Sequence, residues 1–315
     1  MLDGLSITKK LNGQVVNTAS LNYISSGRIG SIYKIKVSSF SKFSGSAPVI
    51  KLYNDKLKIE GSLPYLINEN SLQSITIDEI RRVFKALSDL LNVDLNDATV
   101  NYFEFGTSIN IPFTCKEFIH HHLSYEKMDS ADYQKKGKYF QDKLRRIKIY
   151  DAGRNANYKL SVPVKSQLKT SGSYFKNANY LKFEILYKNP YKYFGKTITV
   201  EDLQDIDFYG MCSEDLLSTY NQIQKTGLKI PTTPKELTST KILAIVLKEI
   251  EQVTGIDVKA RVERTIKNSI NLKSMHKYDR RRTIRKAFSG LEIIENPYDI
   301  ANLLEKKIKE FLHYT

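Results

Sequence analysis

The sequence contains no tryptophan and only two cysteines, Cys115 and Cys212, which lie far apart without the spacing of metal ligands. Such sparse cysteine usage argues against a disulfide framework and favours a reducing, cytoplasmic setting. The first ten residues lack the apolar core of a secretory signal. The longest apolar runs, such as residues 242–247, are far shorter than a bilayer requires, so no transmembrane segment is expected.

Acidic residues are in the minority. The chain has 49 Lys and Arg against 34 Asp and Glu, which gives a formal net charge of +15. Such a charge attracts polyanions, and a phosphate backbone is the commonest polyanion in a cytoplasm. The 20 Tyr and 14 Phe offer many flat faces to unstacked bases. The composition indicates nucleic-acid binding, although an AT-rich genome also produces a Lys- and Tyr-rich protein.

The residue pattern predicts an α+β fold. A largely antiparallel sheet with flanking helices is expected over residues 1–210, followed by a helical region over residues 211–315 that binds DNA. The expected strands are the β-branched and aromatic stretches 31–37, 47–53, 99–109, 144–150 and 180–187.

Four segments carry the signals of helix starts. Residues 76–79 have the spacing of a capping box and precede an amphipathic stripe. Residues 114–117 open a second helix, which is expected to run to about Leu123. In the C-terminal region, residues 233–236 and 296–297 place a proline near the start of further helices.

Side-chain alternation on three of these strands indicates a site. Glu104, Lys148, Tyr150, Lys182 and Glu184 each lie opposite the apolar residues of their own strand. Two carboxylates, a tyrosine and lysines on one sheet face suit phosphodiester chemistry with Mg²⁺ or Mn²⁺, because these ions prefer oxygen ligands. A solvent-facing sheet without any site shows the same alternation.

At these residues the chain resembles the filamentous-phage gene II type of replication initiator, whose relatives occur in other single-stranded DNA phages and in plasmids. The resemblance covers about residues 57–205 and consists of four segments in the expected order. They are 59–63 with Asn68 and Asn70, 102–106 with 110–111, 137–138 with 147–151, and 181–185 with 193–195 and 202–203.

The resemblance implies an enzyme that binds a double-stranded origin and cuts one strand by tyrosine attack on the scissile phosphate. A 5′-phosphotyrosyl link and a 3′-hydroxyl that primes rolling-circle synthesis would result. The enzyme would later rejoin the displaced single strand, and a host helicase and polymerase would be its partners. Such transfer conserves the phosphodiester energy, in keeping with the lack of a Gly-rich loop with Lys-Ser/Thr in the sequence.

The resemblance also implies roles for individual residues. The expected assignment is Tyr150 as nucleophile, Glu104 and Glu184 as metal ligands, Asp151 as a further ligand or base, and Lys148 and Lys182 as phosphate stabilisers. Tyr139 is a rival nucleophile, because more distant plasmid initiators place theirs nearer that point. The competing hypothesis is a non-catalytic nucleic-acid-binding or copy-control protein that keeps an initiator-like sheet.

Two further charged or polar runs stand out. Residues 259–286 contain eleven basic and two acidic residues, and a basic helix there suits phosphate contacts. The residues expected to contact DNA are Arg280, Arg281, Arg282, Arg285 and Lys286. A solvated helix face is the other interpretation of this run.

Residues 120–122 are three histidines, but neighbours on a helix diverge by about 100° and do not converge on one ion.

Overall fold

The computed structural model describes residues 1–27, 30–35, 48–133, 137–160, 162, 165–166, 170, 179–225, 238–289 and 300–313. The α+β fold is confirmed. The chain divides into two units. The first comprises Met1–Ile119, Ser124–Ile223 and Ile300–Thr315, and the second comprises His120–Leu123 and Gln224–Asp299.

Across the described residues, twelve strands are present. They are β1 (Leu2–Lys10), β2 (Leu21–Gly27), β3 (Gly30–Ile35), β4 (Val49–Tyr53), β5 (Lys56–Ser62), β6 (Thr99–Ile111), β7 (His122–Ser124), β8 (Asp129–Tyr133), β9 (Gly137–Gln141), β10 (Arg145–Asp151), β11 (Asn179–Tyr187) and β12 (Gln224–Lys225). Ten form one sheet in the order β2-β3-β4-β5-β1-β6-β11-β10-β9-β8, and β7 pairs with β12. Every pairing within the large sheet is antiparallel. The five predicted strands are confirmed as β3, β4, β6, β10 and β11, although residues 36–37 and 47 lie outside the described residues.

Ten α-helices lie in the same described ranges. They are α1 (Leu63–Asn68), α2 (Ile77–Leu91), α3 (Cys115–His120), α4 (Ala152–Lys159), α5 (Pro190–Phe194), α6 (Ile206–Gln222), α7 (Ser239–Thr254), α8 (Val258–Asn268), α9 (Ser274–Phe288) and α10 (Ala301–His313). The second unit contains α7, α8 and α9. No helix among the described residues has both the length and the apolar character needed to cross a bilayer.

The predicted capping box opens α2. Thr76 Oγ1 accepts a hydrogen bond from the backbone N–H of Glu79 at 3.2 Å, and the Glu79 carboxylate accepts one from the N–H of Thr76 at 2.8 Å. Two of the backbone donors at the helix start are thereby satisfied. The apolar stripe that follows is buried at Ile80, Val83, Phe84, Leu87 and Leu91.

The apolar face of the sheet packs against helices of the first unit. The ring centroids of Phe105 and Tyr209 are 5.6 Å apart, and those of Phe183 and Tyr220 are 5.5 Å apart. Tyr209 in turn stacks on Phe311 of α10 at 5.4 Å. Because α6 and α10 cover this face, the opposite face of the central strands is left for polar side chains.

The domain boundary predicted at residue 210 falls inside α6. Phe208, Tyr209, Cys212 and Leu216 are buried, so this helix is part of the first unit on both sides of the proposed boundary. Helix α10 also belongs to the first unit, because its apolar residues close over Tyr209. The change of unit comes after Ile223, within the segment 210–232 over which the composition shifts.

The second predicted helix is shorter than expected. Helix α3 ends at His120, and the prediction that it reaches about Leu123 is wrong because β7 begins at His122 and pairs with β12. The predicted helix starts at residues 233–236 and 296–297 lie outside the described residues. The helices that follow those two positions are α7 and α10.

Candidate active site

The strand order β1-β6-β11-β10 brings the predicted site residues onto one face. In the register of β10 with β11, Lys148 lies opposite Glu184 and Tyr150 lies opposite Lys182. Strand β11 also pairs with β6, which carries Glu104. Adjacent antiparallel strands hold directly opposed side chains about 5 Å apart, so these five side chains share one small region.

A third carboxylate joins them from the first strand. Oxygen atoms of Asp3, Glu104 and Glu184 all lie within 4.8 Å of one another. Three carboxylates at this spacing supply the hard oxygen ligands that divalent cations such as Mg²⁺ prefer. This carboxylate triad could hold a metal ion.

Two lysines link the three carboxylates. Lys148 Nζ forms ion pairs with Glu104 and with Glu184 Oε1, the latter at 3.0 Å. Lys182 Nζ forms ion pairs with Asp3 and with Glu184 Oε2, the latter at 3.1 Å. The side chains of Lys182 and Glu184 are only 4% and 2% exposed, so these charges are screened little by solvent. Three negative and two positive groups leave a formal excess of one negative charge.

The pKa shifts follow from burial and from this crowding. Burial, together with the charge of Glu184, raises the pKa of Glu104 despite its ion pair with Lys148. Burial opposes ionisation of Asp3, but the Lys182 ammonium outweighs it and lowers the pKa of Asp3. Burial is the largest single influence on both lysines and opposes their charge, but Glu184 together with Glu104 raises the pKa of Lys148, and Glu184 together with Tyr150 and Asp3 raises the pKa of Lys182. Both lysines therefore remain protonated at neutral pH.

Tyr150 lies at the edge of the triad. Its hydroxyl donates a hydrogen bond to Glu184 Oε2 at 3.4 Å. Its ring packs against a small apolar cluster that includes Ala152, Ala156 and Leu160. Burial, with the charge of Glu184, raises the pKa of Tyr150 well above its ordinary value. The phenol is thus held neutral, with its hydroxyl hydrogen-bonded to a carboxylate.

A cleft of about 220 Å³ gives access to these groups. Helix α4 packs on β11 and α1 packs on β1, so the two helices flank the site on the polar face of the sheet. The lining residues include all three carboxylates, Lys148, Tyr150 and Ser62. Ser62 donates a hydrogen bond to Asp3 and holds that carboxylate in place.

Three glycines leave room for the site side chains. A Cβ atom on Gly4 would lie 2.7 Å from Glu104 Oε2, and one on Gly137 would lie 2.6 Å from Tyr150 Cβ. A Cβ atom on Gly106 would overlap the backbone and Cβ of Glu184. Any larger residue at these positions would push a candidate catalytic side chain out of place.

Asp151 is not brought into the carboxylate triad. Its Oδ1 accepts a hydrogen bond from the backbone N–H of Arg154 at 2.7 Å, so Asp151 caps the start of α4. The third carboxylate is Asp3 instead, which the sequence pattern did not single out. Asp3 lies between Leu2 and Leu5 on β1. The pairing of β1 with β6 shifts register between these two leucines, so polar and apolar side chains do not alternate strictly there.

Tyr139 faces the same side as Tyr150. It lies on β9 directly opposite Lys148 of β10, and it lines a second cleft of about 290 Å³ that also reaches Tyr150 and Glu184. The structure thus places both candidate tyrosines on the polar face. The hydroxyl of Tyr150 is the one that hydrogen-bonds to the triad, and this bond puts Tyr150 closer to the carboxylates.

The predicted DNA-binding residues lie on α9 in the second unit. Arg285 Nη2 forms an ion pair with Glu263 Oε2 at 2.8 Å, and Arg281 Nε lies 3.7 Å from the same oxygen. Arg280, Arg282 and Lys286 are exposed and form no ion pair with any described residue. The basic residues therefore differ in how available their charges are to a ligand.

The three histidines do not form a metal site with described residues. His120 is exposed at the end of α3, whereas His121 and His122 are buried. Among the residues that the structure describes, the carboxylate triad is the group of metal-ligating side chains that meet. No protein-family model matches the chain, and no curated protein matches it either.

Proposed function

We propose that this protein is a metal-dependent DNA nicking and rejoining enzyme that initiates rolling-circle replication through a transient tyrosine-phosphate bond. The observation that carries the proposal is the hydrogen bond of Tyr150 to Glu184, because Glu184 also belongs to the carboxylate triad. Glu184 would therefore contact the nucleophile, accept its proton and supply an oxygen ligand to the metal ion. The resemblance of segments 102–106, 147–151 and 181–185 to gene II-type initiators supports the same chemistry.

Asp3, Glu104 and Glu184 would hold the ion, for which Mg²⁺ and Mn²⁺ are the best candidates because all three ligands are carboxylates. The raised pKa of Glu104 supports this fit, since it reflects buried like charges whose repulsion a cation would relieve. A bound ion of this kind polarises the scissile phosphate and neutralises charge that develops on it.

The chain's own groups account for the bond changes. Tyr150 Oη attacks phosphorus, a new oxygen-phosphorus bond forms, and the bond from phosphorus to the 3′ oxygen breaks. Glu184 accepts the phenolic proton, and the departing 3′ oxygen takes up a proton from solvent water to become a hydroxyl, after which Glu184 returns its proton to solvent. Attack of a 3′-hydroxyl on the phosphotyrosine reverses each change and rejoins the strand. One phosphodiester replaces another, so the transfer needs no energy from a nucleoside triphosphate.

The timing of proton transfer follows from the pKa of Tyr150. Burial and the charge of Glu184 raise this pKa well above its ordinary value, so loss of the phenolic proton needs an acceptor nearby. The proton must leave as the new bond forms, which is the role of a general base in hydrogen-bond reach. Lys148 and Lys182 stay protonated, and their ammonium groups would balance charge on the reacting phosphate.

The proposed substrate is origin DNA, first as a duplex and then as the displaced single strand. The basic face of α9 would supply salt-sensitive contacts to the duplex phosphates. The 3′-hydroxyl released at the nick would pass to a host polymerase, with a host helicase opening the duplex. These partners follow from the proposed reaction and from the resemblance.

The decisive experiment uses the full chain and supercoiled DNA that carries its own origin. Incubation with Mg²⁺ or Mn²⁺ should give nicked circles whose 5′ end stays attached to protein through denaturation, and EDTA should prevent this. If neither ion gives nicked circles or an adduct, the protein is better described as a non-catalytic nucleic-acid-binding or copy-control protein.

A further inference from the structure

A second cleft opens next to the carboxylate triad and carries a different charge. It has a volume of about 290 Å³. Its lining includes Tyr139, Arg146, Lys148, Tyr150, Asn155 and Glu184. The last four also line the first cleft, so the two cavities meet at the proposed nucleophile.

The end of this cleft away from the triad is cationic. The guanidinium carbon of Arg146 lies 5.1 Å from the ring centroid of Tyr139, and Arg146 Nε donates to Gln141 Oε1 at 2.9 Å. Lys188 Nζ donates to the same Gln141 oxygen at 3.3 Å. Neither Arg146 nor Lys188 forms an ion pair with a carboxylate of the described residues. Two positive charges thus share a neutral acceptor.

Lys188, which is linked to the cleft residue Arg146 through Gln141, shows the effect of that crowding. Partial burial, with the charge of Arg146, lowers the pKa of Lys188. An anion placed between the two cations would relieve their repulsion, whereas the lysines of the triad already have carboxylate partners. This end of the cleft is therefore the better place for an additional phosphate.

The aromatic ring adds a second requirement on the ligand. Tyr139 lies directly opposite Lys148, and Arg146 is two residues from Lys148 on the same strand. Gly137, two residues before Tyr139, lies opposite Tyr150, so Tyr139 is displaced from the proposed nucleophile by about 6.6–6.8 Å along the strand. The guanidinium of Arg146 packs on the ring of Tyr139 and therefore lies near the same level. An aromatic ring next to cations is the arrangement that binds unpaired nucleotides, because stacking needs a base freed from its partner.

We infer that Tyr139 and Arg146 form a subsite for single-stranded DNA, which stacks the base and binds the phosphate of the nucleotide next to the scissile bond. This inference rests on the proposed function for its choice of ligand. Tyr139 then contributes a ring face and not a nucleophile. Lys188, which follows the end of β11 and shares the Gln141 oxygen with Arg146, adds positive charge near this phosphate.

The test measures binding without cleavage. The full chain is titrated in EDTA into a fluorescently labelled oligothymidylate of about 16 nucleotides, and anisotropy is recorded. Tyr139→Ala and Arg146→Gln should each weaken binding about tenfold, because the first removes the stacking ring and the second removes the positive charge that binds the phosphate. Tyr139→Phe should stay within about twofold because phenylalanine keeps the ring. Arg82→Gln is the matched control, as Arg82 is an exposed arginine on α2 that contacts its own helix.

A cross-linking experiment avoids any effect of substitution on folding. Bromodeoxyuridine in the same oligonucleotide should attach to the wild-type peptide that contains Tyr139. Wild-type affinity for both Tyr139→Ala and Arg146→Gln, or cross-links only to other peptides, would overturn the subsite. If the subsite variants lose binding while the wild-type chain makes no nick, the subsite stands and the proposed catalysis fails. If nicking occurs but these variants bind normally, the subsite alone is wrong.

Discussion

Gly106 lies directly opposite Glu184 in the register of β6 with β11, and no side chain fits at this position. A Cβ atom there would overlap both the Glu184 Cα and the carbonyl oxygen of Phe183. Glu184 therefore keeps its position only because glycine lets the two strands approach closely. From this position Glu184 contacts Lys148, Lys182 and Tyr150.

The first prediction concerns this approach. Gly106→Ala should lower the free energy of unfolding by about 1–3 kcal/mol, because the extra methyl group forces the two strands apart. It should also weaken cation binding by moving Glu184. Chemical denaturation and a Mn²⁺ titration would measure the two effects. Gly210→Ala is the control, since a Cβ on this helical glycine meets nothing within 4 Å and should stabilise α6 by about 0.5–1 kcal/mol.

The second prediction concerns the ligands of the cation. Mn²⁺ at about 100 times its dissociation constant should stabilise the wild-type chain by about 2.7 kcal/mol, seen as a higher melting temperature. Asp3→Asn and Glu104→Gln should lose most of this increase. Asp151→Asn should keep it, because asparagine caps a helix as well as aspartate does. An unchanged response of Asp3→Asn together with an abolished response of Asp151→Asn would reassign the third ligand.

Glu184→Gln is a less informative variant of the triad. It leaves Lys148 and Lys182 each without one carboxylate partner. Removing one member of a buried ion pair costs about 3–5 kcal/mol, which would obscure a change in metal binding. Asp3→Asn has the same drawback, because Asp3 also pairs with the buried Lys182. Glu104 is more exposed, with 21% of its side chain accessible, so Glu104→Gln separates ion binding from folding most cleanly of the three.

The third prediction gives the pH dependence of that stabilisation. Burial and the charge of Glu184 raise the pKa of Glu104. Protons therefore compete with the cation for Glu104 at pH values above those at which an exposed glutamate titrates. The increase in melting temperature caused by Mn²⁺ should therefore shrink as the pH falls below neutrality, before an exposed glutamate begins to titrate. Glu104→Gln cannot take up this proton, and its small residual response should not change over the same pH interval.

The sequence pattern anticipated much of the site because alternation along a strand is local. The period of two placed Glu104, Lys148, Tyr150, Lys182 and Glu184 on polar faces without any knowledge of strand order. Their convergence depends on the order β6-β11-β10, which arises from pairing between residues far apart in the chain. No local signal specifies that order.

Asp3 shows where such reasoning ends. It lies on a strand inserted between β5 and β6, so its neighbours in space come about 60 to 180 residues later in the chain. The irregular register after Leu2 also hides the alternation that would have marked it. Helix α10 is a related case, because it returns to the first unit through long-range packing on Tyr209.

The fourth prediction separates two pairs of arginines on α9. Arg280 and Arg282 form no ion pair with described residues, whereas Arg281 and Arg285 are both near Glu263. Arg280→Gln with Arg282→Gln should reduce the slope of log affinity for duplex DNA against log salt by about 0.9 for each DNA phosphate that is no longer neutralised. Arg281→Gln with Arg285→Gln should reduce it less, because Glu263 already offsets their charge. Equal slopes for both double variants would show that the pairing with Glu263 does not persist on DNA.

The last prediction distinguishes the two candidate nucleophiles. Tyr150→Phe removes the hydroxyl that contacts Glu184 but keeps the ring that packs on Ala152 and Ala156, so the fold should survive. This variant should form no covalent adduct with labelled single-stranded origin DNA. Tyr139→Phe should form the adduct at a rate close to that of the wild-type chain, because a phenyl ring still stacks on a base. Denaturing gel electrophoresis would record both results.

The outcomes bear on different parts of the chemistry. An adduct with Tyr150→Phe but not with Tyr139→Phe would move the nucleophile to β9 and leave Glu184 without its proposed role as proton acceptor. Absence of the adduct in both variants would mean that the Tyr139 hydroxyl also takes part, since phenylalanine preserves stacking. If Tyr139→Phe forms the adduct and Tyr150→Phe does not, the nucleophile is a tyrosine within reach of a triad carboxylate. Among the described tyrosines, Tyr150 meets that requirement through its hydrogen bond to Glu184.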